Sequence, residues 1–194
     1  MATKPRMYMR GSARYVAGMP VCLLTFHTYR SWPEDHRNGY VQRGRGLQAP
    51  DRERARWRAK HAGDEPFQFS TDDQLLVVEV VLEVAAERAV RLHALATTPT
   101  HAHVLMSFRS PACTCGASAH CRRGCDSRAA VEQIAARLKR KCGQQLAKRY
   151  GTSGRPYLSR GWDLTPVRDR AHFERLVANY LPGHVAQQGQ FHRW

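Results

Sequence analysis

The sequence predicts an α+β domain in which an antiparallel sheet carries helices on one face. Three observations predict it: apolar residues recur at period two in some stretches and at period 3.6 in others, these stretches follow the order β-α-β-β-α-β-α, and 194 residues suffice for one core. No internal repeat is visible, so residues 1–194 read as a single domain.

The first strand is Val21 to Tyr29, "VCLLTFHTY", a β-branched and aromatic run with Cys22, Leu24 and Phe26 on one face. From 30 to 70 the chain is rich in Gly, Pro and Arg without sustained period; it reads as a basic surface excursion with one turn of helix near Arg52 to Lys60. Thr71 to Arg88 is valine-rich, yet its length and the four-residue spacing of Glu79, Glu83 and Glu87 favour helix. Val90 to Thr97 alternates as the second strand, with Val90, Leu92, Ala94 and Ala96 on one face. Pro99 breaks it, and His101 to Phe108 returns as the third strand of a hairpin.

Asp126 to Tyr150 is a basic amphipathic helix, with Val131, Ile134, Ala135, Leu138, Cys142 and Leu146 at helical spacing. A short strand comes next, around Trp162 to Val167. The last helix opens at an Asp169 N-cap and carries Phe173, Leu176, Val177 and Tyr180 on one side, until Pro182 and Gly183 end or kink it. Cys22 and Cys142 fall on apolar faces and belong to the core.

The chain carries 31 Lys and Arg against 16 Asp and Glu, a formal charge of +15, which suits a partner built of phosphates. No 18-residue apolar span and no lipidation signal support a membrane partner. The N-terminus "MATKPRMYMRGSARY" lacks a secretory apolar region, so a cytoplasmic, nucleoid-associated protein is expected, with cysteines as thiols or metal ligands.

In "TPTHAHVLMSF", His101 and His103 project from one face of a strand, where both imidazoles can reach one ion. The opposite face, Ala102, Val104, Met106 and Phe108, is apolar, which makes the histidine side the open one. Two imidazoles make an incomplete site. His184, four residues after Tyr180, is the candidate third ligand and His27 the runner-up. Downstream, "CTCGASAHCRRGC" places Cys113, Cys115, Cys121 and Cys125 close enough for a structural Zn²⁺, with His120 able to replace one thiolate. Arg43, Arg45 and Arg56 in the excursion, and Arg137, Lys139, Arg140 and Lys141 on the basic helix, are candidate phosphate contacts; Tyr40 and Trp57 are candidate stacking rings.

"PTHAHVLMSF", "ARLKRKCGQQLAKR", "RGWDLTPVRDRAHFERLVANYLPGH" and the early "LTFHTYRSW" together resemble the single-tyrosine HUH transposases, especially the REP-associated tyrosine transposase branch. The resemblance spans roughly Val21 to His184. It implies a ferredoxin-like or RRM-like HUH endonuclease fold, metal binding by His101 and His103, a third ligand at His184, and Tyr180 as nucleophile. It further implies Mg²⁺ or Mn²⁺ as the ion and single-stranded DNA or a DNA hairpin as substrate. DNA would be nicked and strands transferred through a 5′-phosphotyrosine intermediate, in one chain or a homodimer. The chain departs from the family at Thr100, where an asparagine is usual, and at Pro182, which interrupts the helix between tyrosine and third ligand. Two other readings stand beside this one: a non-catalytic nucleic-acid-binding module on an RRM-like sheet, and a replication or mobilisation nickase.

Overall fold

A computed structural model describes residues 21–37, 39–42, 46–108 and 127–194. Strand β1 (Val21–His27) is followed by a small hairpin, β2 (Tyr40–Gln42) and β3 (Gly46–Gln48), then helices α1 (Arg52–His61) and α2 (Thr71–Glu87). Strands β4 (Val90–Thr97) and β5 (His101–Phe108) precede helix α3 (Ser127–Tyr150), strand β6 (Asp163–Pro166), helix α4 (Arg170–Arg175) and strand β7 (Gln190–Arg193). The main sheet has the order β6-β1-β5-β4-β7, antiparallel throughout. Its architecture is α+β, as the element order predicts.

The two long helices cover one face. Valines 77, 78, 80, 81 and 84 of α2 and Val131, Ala135, Leu138, Cys142 and Leu146 of α3 bury against Cys22, Leu24, Phe26, Leu95, Ala102, Val104 and Met106. Helix α2 starts with a capping box in which the Ser70 amide donates to Asp73 and the Asp73 amide to Ser70. Burial raises the thiols of Cys22 and Cys142 to about 12, in keeping with inert core cysteines.

The last helix takes the other face. Phe173, Leu176, Val177 and Leu181 pack on Val21, Leu23, Ala94, Ala96 and Leu105, so the histidine side of the sheet, expected to be the open one, carries a second core. A bulge explains why Ala94 and Ala96 serve this second core rather than sharing a face with Leu92. Leu92 pairs with Met106 but Ala94 with Leu105, which leaves His93 as an extra residue and inverts the phase of the strand.

Two elements exceed expectation. Helix α1 runs for ten residues, not one turn, although none of them is buried. It is held by the Asp51 N-cap, an Arg58–Glu34 ion pair at 2.6 Å, and Arg54 over the Tyr40 ring. Strand β7, unpredicted, closes the free edge of β4. Among the described residues no helix is long and apolar enough to cross a membrane.

Candidate active site

Strand pairing builds the first half of the site. Because β1 and β5 are antiparallel neighbours with Thr25 opposite His103 and His27 opposite His101, all four side chains share one face. His103 is 4% exposed, and its Nδ1 hydrogen-bonds with Thr25 Oγ1 at 2.7 Å. His101 Nδ1 lies 3.0 Å from Thr98 Oγ1 and 2.9 Å from Thr100 Oγ1, so Thr100 contacts the histidine directly.

The second half is built by an irregular helix end. After α4 the chain widens into a π turn, Leu176–Tyr180, closed by the Leu181 amide donating five residues back to Leu176 at 2.9 Å. It then tightens into a 3-10 turn, Pro182–Gln187. Pro182 stands at the start of that turn, where a missing N–H costs nothing, so it does not separate the tyrosine from the histidine. His184 Nδ1 donates to the Tyr180 carbonyl at 2.9 Å. This fixes the tautomer and leaves Nε2 as the free lone pair.

One nitrogen each from His101, His103 and His184 lies within 4.8 Å of the others, close enough for a shared ion. With each Nδ1 engaged by a threonine or a carbonyl, Nε2 is the ligand atom all three offer. Tyr180 stands beside them. Its hydroxyl is 3.3 Å from His103 Nε2, while the residue as a whole is 45% exposed. A half-buried phenol facing convergent imidazoles can meet both a ligand from solvent and an ion on the histidines.

Two solved structures are similar to this chain. A REP-associated tyrosine transposase bound to a REP hairpin aligns with 97% of it and 74% of its own length, at 9% identity and a TM-score of 0.47. A candidate transposase from Deinococcus radiodurans R1 aligns with 94% of it and 98% of its own length, at 10% identity and a TM-score of 0.42. No protein-family model matches the sequence, and no curated protein matches it.

Burial sets the electrostatics. Desolvation first, then the neighbouring imidazoles, push His101 down to about 4 and His103 to about 2, which keeps both neutral at physiological pH. Tyr180 is raised, mainly by burial and then by Asp163, so its phenol stays protonated. His27 is lowered mainly by burial. Its ring sits 5.5 Å from that of His101, yet the convergent set is completed by His184.

Around this centre a hidden brace holds His184. Gln188 adopts φ +59°, and a Cβ on Gly189 would fall 2.1 Å from the Thr97 carbonyl and 2.5 Å from that of His184. Buried Gln74 of α2 accepts from Thr97 Oγ1 and donates to the Gln188 carbonyl. Nothing in the sequence marked Gln74, Thr97 or Gly189. Thr25 and Thr98 were equally unmarked, since threonine in a strand is ordinary.

The basic helix is committed elsewhere. Arg137 binds Glu87, Lys141 binds Glu83 and Glu87, and Lys139 donates to the carbonyls of Ser159 and Gly161 beneath the Trp162 ring. These contacts fasten α3 to α2 and to the loop before β6; Arg140 is exposed. Tyr40 is buried, and Trp57 is exposed with its ring stacked on His61. Arg43, Arg45, Cys113, Cys115, His120, Cys121 and Cys125 lie outside the described residues.

Proposed function

We propose that this chain is a metal-dependent enzyme of the single-tyrosine HUH type that nicks single-stranded DNA, bare or beside a hairpin, and transfers the cut strand. The observation that carries it is the convergence of three imidazole nitrogens within 4.8 Å, with the Tyr180 hydroxyl 3.3 Å from His103. Basic charge of +15 supplies a reason for a phosphate-bearing substrate.

The donor set fits a divalent ion. Three imidazoles, each held by a hydrogen bond on the opposite nitrogen, suit Mn²⁺ better than Mg²⁺, which prefers hard oxygen ligands. Such an ion would polarise the scissile phosphate and offset charge on its non-bridging oxygens. Tyr180 Oη would bond to phosphorus as the bond to the 3′-oxygen breaks, giving a 5′-phosphotyrosine and a free 3′-hydroxyl, the proton lost by the phenol being balanced by one that solvent delivers to the departing 3′-oxygen. Another 3′-hydroxyl reverses the step, so the bond energy is conserved and strands are joined without a nucleotide cofactor. The His184 turn brings the phenol beside the ion site, while Thr25, Thr98 and the Tyr180 carbonyl hold the ligands in register.

All four groups belong to one chain, so a homodimer is not required to complete the constellation. The non-catalytic RRM-like reading is weakened by the sheet itself, because helices pack on both of its faces where such modules stack bases on an open one. A mobilisation nickase shares the chemistry and differs in the fate of the 3′-end. For the cysteines at 113, 115, 121 and 125 the proposal remains a structural Zn²⁺.

Incubation with labelled single-stranded DNA and Mn²⁺ tests the reading. A covalent protein–DNA adduct is expected, absent in Tyr180→Phe and with EDTA. Binding without an adduct across hairpin substrates would favour the module, and adduct without strand joining the nickase.

A further inference from the structure

Helix α1 presents an unusual face. Arg52, Ala55, Arg56 and Ala59 follow the i, i+3, i+4, i+7 spacing that a helix ordinarily turns to its core, yet nothing in α1 is buried. These residues instead border an open cavity of about 580 Å³, whose other wall is the segment after β1, with Arg30 and Trp32. Of the acidic groups there, Glu34 is buried and paired with Arg58. Arg30, Arg52 and Arg56 therefore outweigh the single rim carboxylate of Asp35.

Trp32 is 41% exposed but fixed: its Nε1 donates to the Gly39 carbonyl at 2.8 Å and its ring lies 4.0 Å from that of His36. Its edge meets His27 at 5.4 Å between centroids, and His27 meets His101 at 5.5 Å. The wall is also pinned to the catalytic strand. The Thr28 amide and the Ser31 hydroxyl both donate to the Thr100 carbonyl, at 2.9 Å each. A ligand in the cavity would thus sit at a constant offset from the ion site.

We propose that this cavity binds an unpaired nucleotide of the DNA strand leading into the active site, its base stacked on Trp32 and its phosphates held by Arg52 and Arg56. The proposal rests on the function proposed above and adds to it a specific binding site made by the excursion. An arginine-bearing helix with no core contact and an immobilised, half-exposed indole together match what single strands require: a positive track and a π surface. Duplex DNA, whose bases are already stacked, would leave Trp32 unused. The sequence pointed to Tyr40 and Trp57, but Tyr40 is buried and Trp57 does not border the cavity.

The test uses full-length Tyr180→Phe protein in EDTA, so neither chemistry nor metal contributes, and reads the anisotropy of a fluorescein-labelled, mixed-sequence 20-nucleotide single strand. Trp32→Ala is expected to weaken binding about tenfold. Arg52→Ala with Arg56→Ala should lower the slope of log affinity against log salt by about one per arginine. Circular dichroism confirms that each variant is folded. Trp57→Ala should change affinity little, and a blunt duplex should bind wild type and Trp32→Ala alike. Unchanged affinity in both cavity variants, equal losses at Trp32 and Trp57, or an equal loss on duplex overturns the proposal. The adduct assay is independent: its failure would leave the anisotropy result standing.

Discussion

The hydroxyl of Tyr180 lies 3.3 Å from Nε2 of His103, on the imidazole whose other nitrogen is held by Thr25. A strand residue and the last residue of the π turn, 77 positions apart, are thereby brought to hydrogen-bonding distance. That contact makes the role of Thr25 testable. Thr25→Val keeps the shape and removes the hydroxyl, so Mn²⁺ affinity by calorimetry is expected to fall about tenfold while the melting temperature changes little. Unchanged affinity would mean that His103 needs no orienting partner.

Gly189 is the tightest spot near the site. Gly189→Ala puts a methyl 2.1 Å from the Thr97 carbonyl, and the His184 turn must move to accommodate it. A loss of about 2 kcal/mol in urea unfolding, together with weakened Mn²⁺ binding, is the expected outcome. Destabilisation with metal affinity intact would show that the turn yields without carrying His184 along.

Acid should unfold the protein early. His93 is fully buried, donor or acceptor to Ser107 Oγ at 2.9 Å through Nε2, and lowered from 6.5 to about 4, chiefly by burial. Between those two values the unfolded chain binds more protons, so the stability is complete above pH 6.5 and declines as pH falls towards 4. Calorimetric melting at pH 7 and pH 5 should differ by about 5 °C or more. His93→Gln, which cannot titrate, should flatten that acid limb, and an identical limb in the variant would assign the effect to His101 and His103.

The cysteine cluster offers a compositional check. Purified protein is expected to carry one Zn²⁺ per chain by atomic emission, lost in a Cys113→Ser, Cys121→Ser double variant. Free thiols titrating fully with Ellman's reagent in native buffer would remove the zinc.

Much of this was legible because burial writes periodic patterns. The valines of α2 and the apolar stripe of α3 each arise from one buried face, β1 and β5 read as apolar runs because both of their faces are covered, and the shared face of His101 and His103 arises from pleat geometry alone. The full length of helix α1 escaped because it buries nothing, and β7, "QFHR", because edge pairing leaves only Phe191 an apolar role. The bulge at His93 reversed the faces of Ala94 and Ala96, a one-residue effect that alternation cannot foresee. Tyr180 and His184 were related by a spacing of four, yet the chain achieves their contact through a wide turn followed by a narrow one. The threonine and glutamine braces stayed invisible because their value lies entirely in distant partners.

The wide turn at Leu176–Tyr180 has an evolutionary consequence. It contains one residue more than a regular helix would use, so deleting Ala178 would yield a smoother cylinder and rotate the downstream segment by about 100°. Selection for thermal robustness alone would reward that shortening while swinging the phenol off its target. Under the proposed function, loss of the irregularity in a descendant would mark a chain that had kept the fold and given up strand cutting.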